Sequence, residues 1–284
     1  MITPLSRSLD NGNGHSLSSH WYRPPGDARG AVLIVPAMGV EQRFYEAFAR
    51  WLAEHGYLAV TFDYVGMGLS RNGSLRALDV DVIGWGRHDC SVMLDAVVEA
   101  AGELPVYWIG HSLGGQILPF VQGSERIRRA FTIATGSGYW RENTRSLRHK
   151  AWLLWYCVAP LVTPLAGYFP GRRLGMVGDL PRGVIRQWRR WCLNPEYSVG
   201  AEGAEVRAAY SAVRTPITSI SFTDDEMMSR RNTESLHGFY RSAPQTAKRI
   251  APQDIGAKRI GHFGFFRNQF ADSLWTGYLL PDLG

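Results

Sequence analysis

Between Leu104 and Leu118 the chain reads LPVYWIGHSLGGQIL, and its serine is the first residue that could do chemistry. The strand-forming run VYWI meets Gly110-His111-Ser112-Leu113-Gly114, and LGGQILPFV then restarts as a helix. A sharp turn from strand to helix forces its central serine into an unfavourable backbone conformation, where nearby bulk would clash. Glycines at 110 and 114 remove that bulk. The turn lifts the hydroxyl to the carboxyl end of the strand, beside a helix N-terminus whose first N–H, that of Leu113, can face a developing oxyanion. Ser112 therefore reads as a nucleophile.

A serine needs a base, and a base needs a group to orient it. For a serine on a strand-to-helix turn the acid and then the histidine follow along the chain. Of eight histidines, only His237 and His262 lie far enough downstream. His237 falls in the helical pattern NTESLHGFY, where a solvated surface position is expected. His262 falls in KRIGHFGFF, a glycine-flanked loop that can project an imidazole over the sheet edge, and it is the chosen base. The acid is expected after the strand PITSISF, in TDDEMM; Asp225 is the choice, Asp224 the alternative, and one of the two should serve only a turn or helix cap. Asp63, in FDYVGMGLS, reads as the brace of a turn. The second oxyanion donor is expected from the loop VPAMGVEQ, at the Met38 N–H.

The elements that must carry these residues follow from periodicity. An opening hairpin (ITPLSRSL, NGNG, HSLSSHWYRP) precedes buried strands at 30–39 and 57–70, separated by an amphipathic helix over 41–56. A helix over about 80–101, strand PVYWIG, a helix from Leu113 and a strand at 128–138 continue the alternation. Beyond a break, TPITSISF, a helix over 229–240, a short strand near Lys248 and a helix over 268–279 resume it. Such alternation predicts an α/β fold, with a mostly parallel twisted sheet and helices on both faces. The break divides the chain into a core domain, 1–138 and 201–284, and an inserted helical cap, 139–200.

The cap has its own composition. It holds five of the ten tryptophans and ten Arg or Lys against three Asp or Glu, although the whole chain carries only +6. Trp140, Trp152, Trp155 and Trp188 are its candidate pocket residues, and they suggest an apolar acyl or aromatic site. Its arginines are suited to an anionic substrate, an anionic lipid surface, or merely a solvated face. The segment AWLLWYCVAPLVTPLAGYFP (151–170) is charge-free and long enough to span a bilayer, but Pro160, Pro164 and Gly167 break it; a greasy lid, in occasional contact with a membrane surface, is the expectation. Cys90, Cys157 and Cys192 show neither disulfide nor zinc spacing, and with no leader pattern in MITPLSRSLDNGNGHS a cytoplasmic location is expected. The glycine turns lack the lysine of a phosphate loop and the acid of a dinucleotide fingerprint, so no cofactor and no metal are expected. The basic residues form no recognisable nucleic-acid module.

Taken together, the PAMG loop, DYVGMGLS, GHSLGG, FTDDE and GHFGFF resemble the α/β-hydrolase superfamily over most of the chain. The likeness is greatest to bacterial serine hydrolases near the monoacylglycerol-lipase and serine-aminopeptidase-like branch, with Pro36-Ala37 where many relatives have His-Gly. The resemblance implies a triad of Ser112, Asp225 and His262 and a cap between the sixth and seventh strands. It implies a carboxylic ester or thioester as small-molecule substrate. It leaves open acyl transfer with the same triad, and a ligand-binding receptor that needs only the pocket.

Overall fold

Eight strands hydrogen-bond into one sheet in the order β1-β2-β4-β3-β5-β6-β7-β8. They are β1 (Leu5–Asp10), β2 (Ser16–Tyr22), β3 (Gly30–Val35), β4 (Tyr57–Phe62), β5 (Val106–His111), β6 (Ile127–Ile133), β7 (Ile217–Phe222) and β8 (Gln245–Ile250). The hairpin β1–β2 adds antiparallel to β4, and every pairing from β4 to β8 is parallel. The computed structural model describes residues 2–176 and 178–283. The sheet is that of an α/β-hydrolase.

Continuous apolar runs make β3, β4 and β5 buried on both faces, since parallel strands lie between layers of helices. Alternate side chains of β3 divide the core: Ala31, Leu33 and Val35 pack on one face, Val32 and Ile34 on the other. Helix α1 (Glu46–Glu54) buries Phe48, Ala49 and Leu52 against the second face. On the first lies a composite helix: α2 (Val82–Gly84), a π-helical turn over Trp85–Cys90, and α3 (Ser91–Ala101). The chain from β3 steps outward to β4 and then crosses back over β3 to β5. Strand order therefore reverses between β3 and β5, and a crevice opens at their carboxyl ends.

The helix expected after Ser112 is cut short. Helix α4 (Leu113–Gln116) makes one turn before a 3₁₀ turn at Leu118–Phe120. Pro119 has no N–H to offer the Gly115 carbonyl; the Tyr240 hydroxyl takes that acceptor at 3.2 Å, and the Tyr210 hydroxyl takes the Gln116 carbonyl at 2.9 Å. The last helix likewise differs from a plain α-helix, being a 3₁₀ turn (Asn268–Phe270), a π-helical run (Ala271–Leu279) and α12 (Leu280–Leu283).

Between β6 and β7 the chain is helical: α5 (Arg145–Leu153), a π-helical turn (Leu154–Val158), α6 (Ala159–Ala166), α7 (Arg182–Leu193), α8 (Tyr197–Glu202) and α9 (Ala204–Ala212). One isolated bridge joins Phe169 and Leu180. The charge-free segment turns Ala151, Trp155, Ala159 and Thr163, spaced by four, inward. Its other side faces outward, with Leu161 64% and Leu165 86% exposed. No helix among the described residues is long and apolar enough to cross a membrane. Helix α10 (Arg230–His237) and the short α11 (Gly261–Gly264) complete the described helices.

One buried carboxyl links the hairpin to the core. Asp89 accepts from Asn11 Nδ2 at 2.9 Å and from Val65 N at 2.8 Å. Burial pushes its pKa up to about 7, against the smaller opposing effect of those two bonds. An unfolded aspartate titrates at about 3.9, so the native state holds a proton that the unfolded chain releases first. Stability should accordingly fall as pH rises from about 4 to about 7. In Asp89→Asn that part of the slope should vanish from urea-denaturation midpoints measured across this range.

Candidate active site

Ser112 sits where β5 passes into α4, with φ 50° and ψ −108°. A non-glycine residue in that region stores about 1–3 kcal/mol of strain and needs its surroundings to hold it. They do so by close approach. A Cβ on Gly110 would lie 2.3 Å from the Gly114 carbonyl carbon, and one on Gly114 would lie 2.1 Å from the Val35 oxygen. Neither glycine can gain a side chain without moving backbone. Ser112 N donates to the Ile133 carbonyl at 2.9 Å, and Thr135 Oγ1 donates to the Ser112 carbonyl at 3.1 Å, so β6 clamps the turn.

His262 lies in the single turn α11, not in an open loop. Its Nδ1–H donates to the Asp225 carboxylate, 2.9 Å from Oδ2 and 3.1 Å from Oδ1, and both side chains are almost wholly buried. Nδ1 being the donor leaves Nε2 free to accept a proton. Asp225 Oδ1 also accepts from Met227 N at 2.7 Å and Met228 N at 2.8 Å, which fixes the carboxylate. Among the described residues Ser112 Oγ makes no hydrogen bond to His262; such bonds are commonly long without substrate and tighten when it binds.

The neighbouring acids grip the backbone that leads into the histidine. Asp224 Oδ2 accepts from Ile260 N at 2.8 Å and Gly261 N at 3.2 Å. Glu226 Oε2 accepts from His262 N at 3.1 Å and pairs with Arg259 at 3.2 Å. Three consecutive acids thus hold one turn: Asp225 the histidine ring, Glu226 the histidine N–H, and Asp224 the N–H groups of Ile260 and Gly261 before it. Three acids in a row are the only sequence sign of this, and the sign does not say which backbone they meet. Asp63 accepts from Gln42 N, Gln42 Nε2 and Leu69 N, bracing the turn that follows β4.

A second chain of bonds, silent in the sequence, joins the loop after β3, the turn at Ser112 and the turn that carries His262. Ala37 N donates to the Tyr45 hydroxyl at 2.9 Å, and that hydroxyl lies 2.9 Å from His111 Nδ1. His111 Nε2 lies 3.1 Å from the His262 carbonyl. A carbonyl only accepts, so His111 carries its proton on Nε2 and Tyr45 donates to Nδ1. Burial, and then the neighbouring His262, hold the His111 pKa well below the usual imidazole value, which keeps this one-way arrangement intact. Tyr45 stands at the end of a 3₁₀ turn among apolar neighbours, so periodicity marks it as core alone.

Other residues fall as follows. Met38 and Leu113 are buried beside the crevice, at the ends of β3 and β5. Trp155 and Trp188 meet edge to face at 4.9 Å and line an apolar cavity of about 160 Å³. Trp140 and Trp152 do not line it; they flank Tyr156 instead, and Trp152 is 48% exposed. His237, expected in solvent, is buried: Nδ1–H donates to the Thr233 carbonyl at 2.7 Å and Nε2 accepts from Thr132 Oγ1 at 2.8 Å. It sits on the inward face of α10, against β6. The basic excess is partly neutralised, with Arg172 paired to Glu41 and Arg190 to Glu202.

The sheet order is that of the α/β-hydrolase fold. Residues 26–156 match the family model described as serine aminopeptidase, S33. Human monoglyceride lipase is 28% identical over 109 residues, which are 38% of this chain and 35% of that enzyme's length. The rat enzyme matches the same share at 27%. Among solved structures, a soluble variant of the Saccharomyces cerevisiae monoglyceride lipase aligns over 88% of this chain and 86% of its own, with TM-score 0.65 and 16% identity. A thermostable carboxyl esterase from Bacillus coagulans aligns over 88% and 91%, with TM-score 0.59 and 15% identity.

Tyr45→Phe leaves the Ala37 N–H and His111 Nδ1 without their partner while barely changing volume. It should cost about 1–3 kcal/mol in urea denaturation, the cost of a broken buried hydrogen-bond network. A change within a few tenths would show that the relay carries no stability.

Proposed function

We propose that the protein is a serine hydrolase that cleaves a carboxylic ester through an acyl-enzyme. The observation that carries the reading is the buried His262–Asp225 pair, whose histidine backbone is bonded to the residue next to a strained serine. In this mechanism His262 Nε2 takes the Ser112 proton as Oγ attacks the acyl carbon. The Met38 and Leu113 N–H groups hold the oxyanion, and Asp225 stabilises the imidazolium. His262 then gives its proton to the leaving alcohol, and water activated by the same nitrogen releases the acid.

The cap reading, residues 139–200 over the core, is supported by the walls of the apolar cavity. Leu147, Ala151, Leu154, Trp155 and Trp188 come from the helical insertion, while Gly138, Met227 and Met228 come from the ends of β6 and β7. Met227 and Met228 are the residues whose N–H groups hold Asp225, so the cavity adjoins the acid. It is suited to an acyl group.

Ser112→Ala should lower kcat/KM for p-nitrophenyl esters by roughly 10⁴ or more, with the melting temperature little changed, because alanine keeps the Cβ and with it the same backbone strain. Hydrolysis undiminished in that variant would overturn the reading. Product analysis of the same reactions with an added alcohol separates hydrolysis, expected here, from transfer of the acyl group.

A further inference from the structure

A larger cleft, of about 690 Å³, shares two wall residues with the apolar cavity, Met176 and Met227. Its other walls reach the base and the loop after β3. Phe263 lines it and meets the His262 ring edge to face at 5.0 Å. Gly39 and Val40, the two residues after Met38, line it as well. Met227 N in turn holds the Asp225 carboxylate at 2.7 Å. The cleft therefore adjoins the acid, the base and the loop from which an oxyanion donor is expected, and it meets the apolar cavity beside them.

The charge of the cleft is one-sided. Arg43, Arg172 and Arg267 line it, and among its described wall residues Glu41 is the one acid. That carboxylate is divided between two of the arginines, pairing with Arg43 at 2.9 Å and also with Arg172. The Arg267 side chain has no hydrogen bond or ion pair among the described residues. Three guanidiniums against one carboxylate leave a surplus of two positive charges. A phosphate monoester carries about −1.5 to −2 at pH 7, so one such group matches that surplus. The planar guanidinium fork also suits phosphate oxygens, which it can bind two at a time. The apolar cavity differs in both size and chemistry. At about 160 Å³ it compares with a cavity of about 150 Å³ that admits benzene, so it takes a ring or chain of about six heavy atoms.

An ester has two halves, and the attacked carbonyl lies between them. We propose that the ester cleaved here is a water-soluble one, joining a short acyl group seated in the apolar cavity to an alcohol that bears a phosphate monoester, and that Arg43, Arg172 and Arg267 bind this phosphate in the cleft. The leaving-group role rests on the hydrolase reading; the phosphate site itself does not. The three guanidiniums are exposed, so their attraction is screened by salt, and a neutral alcohol gains nothing from it.

The test has a binding arm and a kinetic arm. Calorimetry on Ser112→Ala with glycerol 3-phosphate and with glycerol reads the cleft without turnover. Glycerol 3-phosphate should bind and glycerol should not, and adding Arg267→Gln to that variant should weaken the binding about tenfold. In the kinetic arm, release of butyrate from 1-butyrylglycerol 3-phosphate and from 1-butyrylglycerol gives a ratio of kcat/KM values that should favour the phosphate ester. That ratio should fall about tenfold or more in the double variant Arg172→Gln, Arg267→Gln. It should also fall in about 1 M salt, where the screening length shrinks to about 3 Å. Glu41→Gln, which releases two guanidiniums, should raise it. Damage to the fold would slow both esters alike and leave the ratio where it was. A ratio near one, or one that the arginine variants do not change, overturns the proposal and leaves the hydrolase reading standing. A preference shown by the 1-oleoyl pair and absent from the butyryl pair would place the phosphate on a lipid and overturn the soluble substrate. Glycerol 3-phosphate binding that depends on Arg267, with neither ester cleaved, would overturn the hydrolase reading and leave the phosphate site standing.

Discussion

The approach of Gly114 to the Val35 carbonyl is the contact on which the rest of the site depends. Strand order reverses between β3 and β5, so the loops leaving those strands diverge and leave a crevice. At its floor the two chains are so close that a methyl group on Gly114 would fall 2.1 Å from Val35 O. That closeness holds the start of the loop after β3 against the turn that carries the strained Ser112. A bulkier elbow would push the two segments apart before it touched the serine itself. Function here begins as a packing constraint on backbone.

Around that contact the polar groups are arranged so that each has one role. Asp225 holds the imidazole, Asp224 and Glu226 hold the N–H groups from Ile260 to His262, and the Tyr45–His111 relay ties the His262 carbonyl to the elbow and to the loop after β3. Every bond in the relay has a defined donor, because it ends on a carbonyl. A protonated His111 would have two donors facing Tyr45 and His262 O, and its depressed pKa keeps that state away at neutral pH. Asn143 breaks the pattern, since its carbonyl is bonded by Arg148 while its buried Oδ1 has no partner among the described residues.

Much of this was legible along the chain. Strands buried on both faces announce themselves as unbroken apolar runs: β5 and β7 lie within one or two residues of where such runs put them, and β3 and β4 start where expected but end at Val35 and Phe62, well before 39 and 70. The turn at Ser112 was legible because its glycines answer to a local clash. What stayed hidden depends on contacts between distant segments. His237 lies on a helix with a polar sequence, but the face that meets β6 is the one it occupies. The helix after Ser112 stops after one turn because Pro119 frees a carbonyl that Tyr240, 125 residues away, satisfies. Tyr45 has the signature of a core aromatic, and nothing local reveals that its hydroxyl is shared by Ala37 and His111. The tryptophans of the insertion share a composition, yet helix phase sends Trp155 inward and Trp152 to the surface.

The claim at the centre of this account is that Ser112 is activated by His262, and covalent capture with a fluorophosphonate probe measures it most directly. Mass spectrometry of the labelled chain should find a single adduct, on Ser112, and none in His262→Ala under the same conditions. Labelling at another residue, or equal labelling of Ser112 without His262, would contradict it.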